Sequence, residues 1–305
     1  MSETKKLNGV FSPVITPFLA DLSPDTNRMV RHCQWLVDQD VGLAIFGTNS
    51  EANSLSVGEK INLFDALIEA GIPVERMMPG TGCCALSDSV ELTRKVVQGG
   101  AKGVLMLPPF YYKGVSEDGL FASYSEIIQR VGDDRLRIYL YHIPQVSQVP
   151  ISLGLIERLL KAFPNTIAGI KDSSGDWNNT KAMLDLYQPQ GFDVFAGSES
   201  FLLANMRAGG AGCITATGNV NPSPIVNLYK TWQASDADVQ QVNLDMIRNT
   251  FAKFPMIPAL KAAVAHWAKD GQYATVRPPL VALTHSDADE LIGALKALNF
   301  AMPGI

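Results

Sequence analysis

The order of short apolar runs and amphipathic stretches constrains the fold of this chain more than any other feature. β-rich runs recur from Gly9 to Thr16, Gly42 to Phe46, Met77 to Gly80, Gly103 to Leu107, Arg137 to Tyr141, Thr166 to Lys171, Asp193 to Ala196 and Gly212 to Thr215. Between them, stretches such as Pro24 to Asp38, Val57 to Ala70, Ser87 to Gln98 and Ser116 to Arg130 carry apolar residues at helical spacing. Alternating strand and helix predicts parallel strands, because parallel neighbours need a crossover connection and cannot be joined by a tight turn. The eight units fit a closed (β/α)8 TIM barrel better than an open doubly wound sheet, and no G-x-G-x-x-G follows the first strand.

After Pro222 the strand signal fades, and helical patterns run from Val239 to Lys253, Ile257 to Lys269 and Ser286 to Leu298. The expected organisation is an α/β barrel over residues 1–222 and a C-terminal helical extension over 223–305. No linker composition separates the two, so the extension is expected to pack on the barrel. A chain of 305 residues, 47% hydrophobic and 18% charged, can bury one large core. A local repeat fits this plan: Gly99-Gly100 and Gly209-Gly210 each close a helical stretch ahead of a strand. Glycine reaches the left-handed conformation that ends a helix, so the same turn is expected twice. A phosphate-cradling role fits poorly, since these glycines precede strands and do not open helices.

A formal charge of -5 with no dense Lys/Arg cluster argues against a nucleic-acid partner, whose phosphates are bound by displacing counterions. The start MSETKKLNGV lacks the apolar core of a signal peptide, and no apolar run approaches the roughly 20 residues that span a bilayer. The expectation is a soluble, cytoplasmic protein without a membrane partner. Cys33, Cys83, Cys84 and Cys213 show no C-x-x-C spacing, and His32, His142, His266 and His285 form no H-E-x-x-H. Reduced thiols and no metal are expected.

In a barrel enzyme the chemistry sits where strands end. The sixth run reads Thr166-Ile167-Ala168-Gly169-Ile170-Lys171-Asp172, and period-2 alternation puts Ile167, Gly169 and Lys171 on one face. If that face points inward, Gly169 leaves space beneath the amine. Apolar burial disfavours the charged form of an amine, and a neutral amine is what attack on a ketone requires. A strand-end lysine that merely snorkels to solvent is the alternative. On the neighbouring run, Tyr141 occupies the corresponding end, where a phenol can relay protons, while Tyr139 one layer down reads as packing. After Phe46, the polar turn Gly47-Thr48-Asn49-Ser50-Glu51 can aim backbone N–H groups and the Thr48 hydroxyl at a carboxylate, or serve as an ordinary βα turn.

Taken together, Gly47-Thr48-Asn49-Ser50-Glu51, Pro109-Phe110-Tyr111-Tyr112, Tyr141-His142-Ile143-Pro144 and Gly169-Ile170-Lys171-Asp172 resemble, in order and spacing, the dihydrodipicolinate synthase and N-acetylneuraminate lyase family. Gly197-Ser198-Glu199-Ser200, Gly218-Asn219-Val220-Asn221-Pro222 and Arg277-Pro278-Pro279-Leu280 extend the resemblance from about residue 8 to about 280. It implies a class I aldolase or lyase in which Lys171 forms an imine with pyruvate, without metal or other cofactor, and Tyr141 shuttles protons. Thr48 and the Asn49 amide would hold the substrate carboxylate and link Tyr141 to Tyr112. In that family this tyrosine enters the site of an adjacent subunit, which implies a homotetramer built as a dimer of dimers.

Departures from the family pattern bear on the substrate. Val146 stands where dihydrodipicolinate-forming members carry an arginine for the second substrate's carboxylate, and valine cannot make that bidentate pair. Cys84 and Val57 occupy positions that are usually polar in the lysine feedback site, so inhibition by lysine is not expected. Asn49 and the run from Ser198 to Phe201 look more like the branches that cleave 4-hydroxy-2-oxo acids and 2-keto-3-deoxy acids to pyruvate and an aldehyde. There Gln145, Ser147, Gly197, Ser198 and Glu199 would line the substrate, the polar side chains meeting its distal hydroxyls. Condensation of pyruvate with aspartate semialdehyde, dehydration on the same imine, and a non-catalytic barrel that senses a keto acid are the competing readings.

Overall fold

Seven parallel strands form one curled sheet in the computed structural model, which describes residues 7–305. They are β1 (Gly9–Ser12), β2 (Gly42–Leu43), β3 (Val104–Met106), β4 (Ile138–His142), β5 (Ile167–Asp172), β6 (Asp193–Ala196) and β7 (Gly212–Ile214), in the order β2-β1-β7-β6-β5-β4-β3. The opening residues Met1 to Lys6, read above as lacking a signal peptide, lie outside the described residues. Among the described residues no helix is long and apolar enough to cross a membrane.

The expected strand from Met77 to Gly80 is not a full strand. It touches both edges of the sheet through single bridges, Leu43 to Met77 and Gly80 to Leu105. Met78 and Gly80 donate to the carbonyls of Leu43 and Ile45, while Leu105 donates to Pro79 and Thr81 donates to Leu105. Pro79 has no N–H, so one rung toward β3 is missing and the ladder cannot run through. Gly80 is required here: a Cβ would lie 2.2 Å from the Phe46 carbonyl oxygen. The run expected to reach Phe46 stops at Leu43, and Phe46 turns the chain at φ 62°.

Helices Thr26–Asp38, Val57–Glu69, Leu86–Gln98 and Glu117–Val131 form close to the expected positions. Asp25, Ser56 and Ser116 accept from first-turn backbone N–H groups and so fix three of the starts. The glycine repeat closes two helices by one hydrogen-bond pattern, with Gly100 and Gly209 both left-handed two residues past the last helical position. The C-terminal helices Ala237–Phe251, Met256–Trp267 and His285–Ala297 send Leu244, Phe251, Leu260, Leu291 and Leu295 into the same apolar core as the sheet-facing helices.

Side chains on the inner face of the sheet form a second, smaller cluster: Phe11, Ala44, Met78, Leu105, Tyr139, Tyr141, Phe195 and Ile214. On β4 the alternation holds, with Ile138 and Leu140 facing the helices and Tyr139 and Tyr141 facing inward. On β5 it does not. Ile167 pairs with Ile138 but Gly169 pairs with Tyr139, so Ala168 is an extra residue in the ladder. Ile167, expected on the Lys171 face, therefore joins the outer core. Gly169 leaves no empty space beneath the amine either. A Cβ there would sit 2.3 Å from the Asp193 carbonyl oxygen and 2.8 Å from the Tyr139 ring, whose hydroxyl donates to Asp193 at 3.1 Å.

His32 ties the first crossover helix to the turn after β7. Its Nε2 lies 3.2 Å from Asn219 Oδ1, which also accepts from the Ile15 amide, while Asn219 Nδ2 donates to the carbonyls of Pro13 and Ala216. An acceptor at Nε2 makes that nitrogen the protonated one. Burial lowers the imidazole to about 4, against the pull of Asn219. Between its ordinary value of 6.5 and about 4, the unfolded chain binds the proton and the folded one does not, so stability falls as pH falls through that window. Melting temperature measured from pH 7 to 4 should drop less steeply in His32→Leu than in the parent.

Candidate active site

The strand ends named from sequence converge on a cavity of about 590 Å3. Lys171 reaches it from the end of β5, and Tyr141 from the end of β4, directly opposite in register. Lys171 is only 2% exposed, and its Nζ lies 4.2 Å from the centroid of the Tyr141 ring. The amine makes no hydrogen bond or ion pair within the described residues. The adjacent carboxylate does not supply one, because Asp172 is engaged elsewhere: Oδ1 accepts from the Ser174 amide, and Oδ2 accepts from Asn179 and Thr180. Such an unpaired buried amine is costly to hold as a structural element and suited to nucleophilic work.

Thr48 and Tyr141 share a 3.1 Å hydrogen bond between their hydroxyls, so one polar chain runs from the polar turn to the phenol under the amine. The turn is a single 3-10 segment, Thr48–Ser50, held by the Gly47 amide donating to Ser50 Oγ and the Ser50 amide returning to the Gly47 carbonyl. The amides of Thr48 and Asn49 have no acceptor within the described residues, and both residues line the cavity. Glu51 ends the segment at φ 55° and sends its side chain into the core. There it pairs with the fully buried Lys261 and accepts from the Arg277 amide, while Lys261 also donates to the Thr275 carbonyl. Burial draws the Lys261 ammonium down to about 8, against the attraction of Glu51.

Gly197 and Ser198 also line the cavity, together with Gln145, Val146 and Ser173. The Gly197 N–H is spent on the Asp172 carbonyl at 2.7 Å, and a Cβ at this position would lie 2.1 Å from Ser173 Oγ. Its contribution is close approach of the β6 end to the β5 end. Ser147 is buried and bonded within its own turn.

Glu199 departs from expectation. It is 1% exposed, its carboxylate accepts from Thr215 and Thr217, and Arg248 Nη1 approaches it at 3.4 Å. Its oxygens are thus engaged by protein donors, and the residue exposed to the cavity is Arg248. Burial first, then Glu199, push the Cys213 thiol well up, while Lys171 and Arg248 pull it down. Tyr112 stands 74% exposed, edge-on to Tyr111 at 5.3 Å, and does not line this cavity.

Glu51 as an anchor, Lys261 and Arg248 were not singled out from sequence. Lys261 left a signal, being the one charged residue between Met256 and Ala265. Arg248 left none, since its helix places it beside the buried Leu244, Ile247 and Phe251 as any amphipathic pattern would. Among the described residues no three His, Cys, Asp or Glu side chains gather as a metal site.

An inward lysine over a tyrosine at adjacent ends of a parallel α/β sheet, with a polar turn bonded to that tyrosine, makes this cavity the candidate active site. The model of the dihydrodipicolinate synthetase family matches residues 6–298, and the chain belongs to that family; it is a lyase. An uncharacterized DapA-like lyase of Chloroflexus aurantiacus is 33% identical over 95% of this chain and 96% of its own length. Among solved structures, dihydrodipicolinate synthase from Agrobacterium tumefaciens superposes with a TM-score of 0.88 at 31% identity, covering 95% of this chain and 99% of its own. YagE of Escherichia coli, a prophage protein of the same family solved with pyruvate, also gives 0.88, at 26% identity and covering 96% and 99%.

The turn that carries Thr48 depends on the Glu51–Lys261 pair. Lys261→Met leaves a buried carboxylate without its partner and should cost about 3–5 kcal/mol. Unfolding in denaturant measures this, and the double variant with Glu51→Gln should recover most of the loss.

Proposed function

We propose that this chain is a Schiff-base aldolase that cleaves, or forms, a 4-hydroxy-2-oxo or 2-keto-3-deoxy acid with pyruvate as the keto-acid partner. The observation that carries the proposal is the buried, unpaired Lys171 amine above the Tyr141 ring, with the Tyr141 hydroxyl bonded to Thr48. The amine attacks the 2-oxo carbon, and loss of water leaves an imine that accepts the electron pair released when the C3–C4 bond breaks. Tyr141 takes and returns protons in carbinolamine formation and at the C4 hydroxyl, and Thr48 holds its phenol in place. The amides of Thr48 and Asn49, free of protein acceptors, receive the C1 carboxylate.

The same reading takes the sheet and the bridging segment 77–80 as one closed (β/α)8 barrel, supported by the bonds that segment makes to β2 and β3. Exposed Tyr112 is read as serving an adjacent subunit in a homotetramer, which its absence from the lining of this chain's own cavity favours over a role within the protomer. The pyruvate complex of the related YagE supports pyruvate as the keto acid. Val146 in the cavity wall, half exposed and apolar, weighs against the aspartate-semialdehyde reading that an arginine there would favour.

Borohydride reduction in the presence of pyruvate, followed by peptide mass spectrometry, should place an adduct on Lys171 and none in Lys171→Ala. Absence of an adduct in the parent, or its persistence in the variant, removes the mechanism. Tyr141→Phe should lower kcat for pyruvate release by about 10²–10⁴-fold while the adduct still forms on long incubation.

A further inference from the structure

A second cavity, of about 470 Å3, lies apart from the first and shares no lining residue with it. Both take walls from the same two segments. Helix Ala237–Phe251 gives Asn243, Leu244 and Ile247 to this cavity and Arg248 and Asn249 to the other, and the stretch after β7 gives Asn221 here and Ala216 there. The first helix contributes Trp35, and the C-terminal segment contributes Phe300. Trp35, Val220, Leu244 and Phe300 are all buried and form an apolar floor.

Among the described residues the lining holds neither an acid nor a base; its polar side chains are mainly carboxamides, those of Gln39, Asn221, Asn227, Gln240, Asn243 and Asn299. Three of these are fixed by protein partners. Gln39 accepts from Ser223, Asn227 donates to Gln240 at 2.8 Å, and Gln240 donates to Thr231 and Asp236. The side chains of Asn221, Asn243 and Asn299 take no hydrogen-bond partner among the described residues. Asn243 and Asn299 are exposed to water, but Asn221 is only 7% exposed, and its backbone N–H is spent on the Thr217 carbonyl at 2.7 Å. A carboxamide buried to that extent without a partner is costly, so the cavity is incomplete as it stands.

The lining also selects the guest. A carboxylate or phosphate entering here would lose its hydration and gain no counter-charge. A purely apolar guest would leave Asn221 unpaired. A ring with an amide edge meets both conditions, since its body covers the apolar floor while its C=O and N–H pair with the N–H and C=O of one carboxamide. We infer that this cavity binds an uncharged ring compound carrying a carboxamide or lactam edge, the chemistry shared by nicotinamide and the pyrimidine nucleosides, with Asn221 as its hydrogen-bonding anchor. The site does not depend on the imine chemistry proposed for Lys171.

The test uses the intact protein at neutral pH with nicotinamide, uridine and nicotinate, the last matching nicotinamide in shape but carrying a carboxylate. At least one of the two uncharged probes should bind in calorimetry with a dissociation constant of about 1 mM or tighter, and at least about tenfold more tightly than nicotinate. The tighter of the two distinguishes an exocyclic carboxamide from a lactam. Asn221→Leu should weaken that probe at least about tenfold, whereas Lys171→Ala should leave its affinity unchanged, which separates this cavity from the other. Weaker binding by both uncharged probes, equal binding of nicotinate, affinity that survives in a folded Asn221→Leu, or affinity lost in Lys171→Ala overturns the inference. If Asn221→Leu does not fold, a crystal of the parent soaked with the probe decides: density against Asn221 upholds the site, and density elsewhere or none overturns it.

Discussion

The burial of one amine without a counter-ion organises this molecule. A lysine at the end of a strand would ordinarily reach water or find a carboxylate, and Lys171 does neither. The surrounding structure enforces this by giving every nearby carboxylate other partners. Asp172, next in sequence, is bound by Ser174, Asn179 and Thr180, and Glu199 is bound by Thr215, Thr217 and Arg248. Glu51, the acid in the turn that carries Thr48, is drawn away into the core by Lys261. The result is a cavity lined by two basic side chains, Lys171 and Arg248, whose one lining carboxylate, Asp172, is already held by protein donors, an electrostatic setting that suits an organic anion.

Placement of the cavity walls follows from how the sheet and the C-terminal helices share one core. The strands supply the groups nearest the amine, Tyr141 and the turn holding Thr48, on rigid elements whose register is set by backbone pairing. The C-terminal helices supply Arg248, Asn249, Ala252 and Met256 to Pro258 on the opposite wall. Sites divided this way keep the reacting groups fixed while the recognising wall changes with the helices. Glu199 connects the two parts, reaching the β7 end with its carboxylate and the C-terminal helix through its backbone carbonyl.

Much of this was legible in the chain itself. Alternating runs located the helices and seven parallel strands, and the strand ends identified Lys171, Tyr141 and Thr48, because those positions are governed by local periodicity. Where local pattern lost, a specific competitor won. Pro79 removed a donor and reduced the run from Met77 to isolated bridges, and Ala168 broke the alternation of β5. Glu199 reads in sequence as a polar loop residue, yet tertiary contacts with Thr215, 16 residues later, bury it. Arg248 was silent because a helix face gives no indication of what another element places opposite it.

The extra residue in β5 sets the direction of Lys171. Counted strictly by twos from Ile167, which faces the helices, position 171 would face the helices as well. Ala168 and Gly169 both lie toward the inner side, against the inner cluster and the Tyr139 ring, and that single unmatched residue shifts the phase so that the lysine emerges inside. Removing one residue at this point would leave every side chain in place by name and turn the Lys171 amine into the hydrophobic layer behind the sheet. The make-up of the cavity is therefore encoded in the length of the strand as much as in the identity of its residues.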